Sequence, residues 1–120
     1  MHEENELVSQ KKVDAPSRCP VMTTLEVIGG KWKPAILWEL QRFRTQRFGA
    51  LKRALPTITQ KMLTQQLREL EADGVIHRKV YAEVPPRVEY TLTDYGESLT
   101  PILNEMAYWG MNHQEASEKK

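Results

Sequence analysis

Most of the features that would fix a function quickly are missing from this sequence. Its 120 residues hold one cysteine, Cys19, so no internal disulfide can form, as expected of a chain kept in a reducing compartment. No run of about 18 apolar residues occurs, which excludes a helical membrane span. The first residues, Met1 to Glu6, are polar and acidic with no apolar signal-peptide core behind them, so a cytoplasmic location is expected. The three histidines, His2, His77 and His113, are scattered without ligand spacing, and neither a metal nor a cofactor is expected. Glycine-rich phosphate loops, a nucleophile elbow and paired catalytic carboxylates are all absent. A chain this short also has little room for a deep pocket beside its core, so binding is favoured over enzymatic activity.

What is present begins with an uneven charge. The formal net charge is only +1. Residues 31–90, however, hold twelve Lys and Arg against six Asp and Glu, while both flanks are net acidic. Gathered positive charge is the footprint of a surface that neutralises phosphates, although an ordinary solvated surface could show the same asymmetry.

The hydrophobic pattern divides the chain into an arm (residues 1–15), one folded domain (16–112) and a charged tail from His113 that is expected to fray. A short helix with Leu25 and Ile28 on one face stops at Gly29-Gly30. Pro34 sits in the first turn of the next helix, where a missing N–H costs nothing, and Ile36, Leu37 and Leu40 form its apolar face. After a polar linker from Arg42 to Gln46, Phe48, Leu51 and Leu55 mark a third helix that Pro56 ends. Thr59 is a suitable N-cap for a fourth helix running to about Asp73 and closed by Gly74, with Leu63, Leu67 and Leu70 at i, i+4 and i+7. The period then changes to two. Val75–Tyr81 and Val88–Leu92 read as strands about a proline-rich tip, a β-hairpin spanning about Val75–Leu92. A last helix, capped by Thr93 or Asp94, carries Leu99, Ile102, Leu103, Met106 and Trp109, and Pro101 should bend it or delay its start.

This order predicts a mainly α fold with a small hairpin wing, a winged helix-turn-helix. If the leucines of the fourth helix face the core, its other side projects groups suited to a major groove. Gln60 and Gln65 offer bidentate amides, Thr64 a methyl and hydroxyl, and Lys61 and Arg68 cations; the capping Thr59 opens this surface. On the hairpin, Arg78, Lys79 and Arg87 either meet phosphates or a minor groove, or form salt bridges with Glu83 and Glu89. Any amphipathic helix has a solvated polar side, and a winged helix can also serve as a protein-interaction module. A thiol enzyme built on Cys19 would need a histidine base, and none is suitably placed.

Several of these residues carry a family resemblance. Cys19-Pro20, Ile28-Gly29-Gly30-Lys31-Trp32, Phe48 with Leu51, Leu63-Thr64 through Leu67-Arg68-Glu69-Leu70-Glu71, Asp73-Gly74, the run Tyr81 to Tyr90, Leu92-Thr93, Gly96 and Trp109 together resemble the HxlR family of bacterial transcriptional regulators, within the wider group of MarR-like winged helices. The likeness extends over about residues 19–110, and Val84-Pro85-Pro86-Arg87-Val88-Glu89-Tyr90 is its most distinctive part. It implies a homodimer whose terminal helices pack together and whose helices from Thr59 read an inverted repeat in double-stranded DNA, as a repressor in most such small dimers. It also implies that a cysteine at position 19 responds to oxidants or electrophiles in some members.

Two expectations follow from the residues themselves. The stripe Leu99, Ile102, Leu103, Met106 and Trp109 exceeds what so small a domain can bury; with Leu25 of the first helix it would make a dimer surface, unless it packs within the domain. Cys19 stands next to Arg18, with Lys31 and Lys33 further on, and a basic setting suits a reactive thiol; the other reading is an inert, packed one. The sequence names no small-molecule effector, operator or target gene.

Overall fold

The computed structural model of the chain describes residues 18–118. The contacts divide it into two units, Met1–Gly30 and Lys31–Lys120. Of the first unit, helix α1 (Pro20–Ile28) is described. Pro20 occupies its first turn, and the Gly29 N–H donates to Leu25 O at 2.7 Å to close it. Gly30 follows with φ 86°, a conformation glycine adopts without a Cβ penalty. The expected arm over residues 1–15 lies outside the described residues.

The second unit contains the winged helix. Helix α2 (Trp32–Phe43) buries Ile36, Leu37 and Leu40, the positions its periodicity assigned to the core. A two-residue strand β1 (Gln46–Arg47) leads into α3 (Phe48–Ala54), which buries Leu51. Helix α4 (Gln60–Ala72) buries Leu63, Leu67 and Leu70. Strands β2 (Ile76–Tyr81) and β3 (Arg87–Leu92) form the hairpin, with α5 (Asp94–Glu97) and α6 (Thr100–Glu118) after it. The sheet order is β1-β3-β2, antiparallel throughout. The linker expected over Arg42 to Gln46 therefore ends in a strand, whose Gln46 and Arg47 pair with Tyr90 and Glu89.

Both ends of α4 are built from the residues its sequence suggests. Thr59 Oγ1 accepts from the Met62 N–H at 3.0 Å, satisfying one orphan donor of the first turn. At the other end Gly74, at φ 78°, allows its own N–H to reach Glu71 O and that of Val75 to reach Leu70 O, a Schellman closure sealed by buried Val75 and Leu70. The chain thus leaves the helix directly into β2. Thr93 ties the base of the hairpin: its hydroxyl donates to Gly74 O at 2.6 Å and accepts from the Gly96 N–H at 2.9 Å. Gly96 lies so close to the Val75 carbonyl that a Cβ there would collide with it.

The last helix meets one expectation and departs from another. Pro101 delays its start, as one of the two readings held, and Ser98-Leu99 separate α5 from α6. The frayed tail expected from His113 is instead helical to Glu118. Residues 112–118 contain no proline or glycine, and His113 stacks on Trp109 with ring centroids 5.0 Å apart, one turn away.

Candidate nucleic-acid interface

With its leucines buried, α4 turns Gln60, Lys61, Gln65 and Arg68 to solvent and leaves Thr64 half-buried, while Thr59 is exposed at its cap. Gln60, Lys61, Thr64, Gln65 and Arg68 line one shallow, open concavity. The structure therefore gathers the five polar positions expected on this helix into one surface. Among the described residues, no carboxylate lies within 4.0 Å of the amino or guanidinium nitrogens of Lys61 or Arg68.

The wing adds a second element through its period of two. Arg78 pairs in register with buried Tyr90, and both reach the cleft between α4 and the sheet. That cleft measures about 330 Å³ and is lined by Phe48, Thr64, Leu67, Arg68, Glu71, Arg78 and Tyr90. Arg78 of the wing and Arg68 of the helix thus share one opening. Lys79, the next residue, lies on the other side of the strand with its Nζ 4.9 Å from the Tyr81 ring centroid.

Arg87 is engaged differently from Arg78 and Lys79. Its guanidinium lies 3.0 Å from Glu83 and 3.3 Å from Glu89, with its Cζ 3.8 Å from the Tyr81 ring centroid. Of the two readings for the hairpin cations, salt bridging with Glu83 and Glu89 holds for Arg87: a guanidinium held by two carboxylates braces the hairpin and has little charge to spare for a phosphate. The tip beyond it is apolar, with Val84 fully exposed.

Two residues that meet beside this surface, Glu69 and Lys33, were not visible as such in the sequence. Glu69 stands with Glu71 and Asp73 near the end of α4, where acidic residues are ordinarily only solvated. Its Oε1 instead holds Lys33 Nζ at 2.6 Å, and its Oε2 accepts from Gln65 Nε2 at 3.2 Å. The hydrogen bond from Lys33, then that from Gln65 and the Lys33 charge, hold its carboxyl below the usual carboxylate range. The i, i+4 spacing of Gln65 and Glu69 was a usable signal; Lys33, on another helix, offered none.

The remaining candidates separate. Cys19 is exposed at the N-cap of α1. Beside it, Arg18 donates to Thr23 Oγ1; within the second unit, Lys33 holds Glu69 and Lys31 lies over the Trp32 ring. Leu25 is exposed on α1. On α6, Ile102, Met106 and Trp109 are exposed, and Leu99 before it is half-buried. Leu103 is 3% exposed and faces Pro34, Ala35 and Trp38 of α2, so this member of the expected dimer stripe belongs to the core of its own unit. Among the described residues no group of three His, Cys, Asp or Glu side chains could hold a metal, and no helix is long and apolar enough to cross a membrane.

A family model described as HxlR-like helix-turn-helix matches residues 27–118, which include both the recognition-type helix and the wing. The chain belongs to the HxlR-like helix-turn-helix family. It is similar to two proteins of Bacillus subtilis (strain 168) named as uncharacterized HTH-type transcriptional regulators. YybR is 49% identical over 92% of this chain and 90% of its own length; YtcD is 62% identical over 78% and 73%. Among solved structures, the redox regulator HypR in its reduced form superposes with a TM-score of 0.79 at 49% identity, covering 85% of this chain and all of that one. This HxlR-like chain is therefore a transcriptional regulator with a winged helix-turn-helix fold.

Proposed function

We propose that this HxlR-like regulator binds an inverted repeat in duplex DNA as a homodimer and represses transcription from it. The observation that carries the reading is the division of α4: leucines buried, and Gln60, Lys61, Thr64, Gln65 and Arg68 presented together on one open surface. In this reading the first two turns of α4 enter the major groove. Gln60 and Gln65 meet base edges, Thr64 meets a thymine methyl or a phosphate, and Lys61 and Arg68 meet guanine or phosphate. Thr59, at the helix N-terminus, meets the backbone next to it. Arg78 and Lys79, on opposite sides of β2, straddle a neighbouring phosphate run, and Arg87 keeps the wing in shape.

The dimer is proposed to form through the exposed side of α6, Ile102, Met106 and Trp109, with Leu99; Leu25, exposed on α1, is proposed as a separate contact with the partner. The two α4 helices would then lie one DNA turn apart, roughly 34–36 Å. Cys19 is proposed as the point of control. Its exposure and the similarity to the redox regulator HypR support this. An oxidant removes two electrons and two protons from two thiols as an S–S bond forms between copies, or an electrophile adds to one thiol.

The test is a binding series on duplex DNA selected from a random pool. Gln60→Ala and Gln65→Ala should relax sequence preference, whereas Lys61→Ala should weaken binding to all sequences and flatten its salt dependence. Parent-like behaviour of all three variants would remove the reading. For the switch, an oxidant should change the affinity of the parent and leave Cys19→Ser unaffected; equal responses would remove the control by Cys19 alone.

A further inference from the structure

The bridge on Glu69 bears on which base Gln65 can read. An amide side chain can turn either end outward, and the two ends ask opposite questions of a base edge: nitrogen donates, oxygen accepts. A carboxylate only accepts. Because Glu69 Oε2 is 3.2 Å from the Gln65 amide, the end that faces it must be the nitrogen. The carboxylate is itself held from the other side, since Oε1 carries the 2.6 Å ion pair to Lys33, whose side chain is largely buried. Each oxygen of Glu69 thus has its own partner. A glutamate carboxyl is charged, and so acceptor-only, across the neutral range, and its partners here lower its titration further.

Resting on the reading of α4 given above, we propose that Lys33 and Glu69 are positioning residues that fix the polarity of Gln65. With one N–H committed to Glu69, the oxygen is the end turned to the DNA, where it accepts from a base that carries an exocyclic amine in the major groove, and the second N–H stays free beside it. In the major groove adenine and cytosine present an amine where thymine and guanine present an oxygen. A fixed oxygen therefore accepts from A or C on one strand and is repelled by T or G there. The oxygen alone does not distinguish A from C, although the second N–H can add a bond to adenine N7; it assigns which strand of the pair carries the amine. A freely turning Gln65 would make no such choice.

The experiment is selection of bound sites from random duplex DNA with this chain and its variants Gln65→Ala, Glu69→Gln, Lys33→Met and Lys33→Arg. In the parent, one position of each half-site should favour A and C over T and G by about tenfold, the order of one base-edge discrimination. Gln65→Ala should level that position and so identify it. Glu69→Gln, a neutral isostere that can meet either end of the amide, should level the same position and leave the rest of the site unchanged. Lys33→Met should weaken the preference there and Lys33→Arg should restore it. A merely structural role for the bridge would change affinity without changing that one position. An undiminished A/C preference in Glu69→Gln, or a parent with no such preference at the position that Gln65→Ala identifies, overturns the proposal. A site unchanged throughout in Gln65→Ala overturns the reading of α4 itself, and is told apart from failure of the positioning role by that variant alone.

Discussion

Thr59 Oγ1 accepts the Met62 N–H at 3.0 Å, and this one contact sets where the proposed reading helix begins. Everything projecting from its first two turns takes its position from that cap. Thr59→Ala is expected to cost about 1 kcal/mol of stability, the usual worth of an N-cap hydroxyl. Thr59→Ser should recover most of it. Urea unfolding of the three proteins checks this, with DNA affinity expected to follow the same order.

Arg78 and Arg87 lie on the same hairpin, yet their substitutions should be distinguishable. Arg78 shares an opening with Arg68, while Arg87 is held by Glu83, Glu89 and the Tyr81 ring. For Arg78→Ala the slope of log affinity against log salt should fall by about 0.9, the value of one phosphate contact on duplex DNA. Arg87→Ala should keep the slope and loosen the wing, seen as faster amide exchange in β2 and β3.

The two sides of α6 should answer to different measurements. Leu103→Ala removes a buried side chain and is expected to cost about 2–5 kcal/mol of unfolding free energy. Trp109, 67% exposed, should have little effect on unfolding of the subunit. Trp109→Ala should instead weaken self-association by about tenfold or more, as loss of an aromatic anchor does; sedimentation equilibrium reads it.

Glu69 gives a prediction in pH. Its folded carboxyl titrates below the ordinary value because Lys33 and Gln65 stabilise the charged form. Any stability it supplies is therefore fully present above the ordinary carboxylate value, and is lost as pH falls through the lower, folded one. A carboxyl NMR titration should show Glu69 below the other glutamates. Lys33→Met should bring it up most of the way and Gln65→Ala by less.

Much of this was legible in the chain because the signals were local. Thr59, the leucines at 63, 67 and 70, and Gly74 are a complete helix description within sixteen residues, and the helix runs between them. The hairpin is equally local. Strand β1 was not, since two residues hold no period and Gln46 and Arg47 are strand only through Tyr90 and Glu89, more than forty residues away. The same limit hid Lys33 behind Glu69, and the Leu103 side of α6 from its Ile102 side. A stripe of apolar residues gives the helix but does not say which part of it α2 covers.

The most direct measurement is amide chemical-shift mapping of the labelled protein as a selected duplex is added. Shifts should concentrate over residues 59–68 and at Arg78 and Lys79, with α6 changing little. Perturbations elsewhere, with the amides of Gln60 to Arg68 unmoved at saturation, would contradict the account.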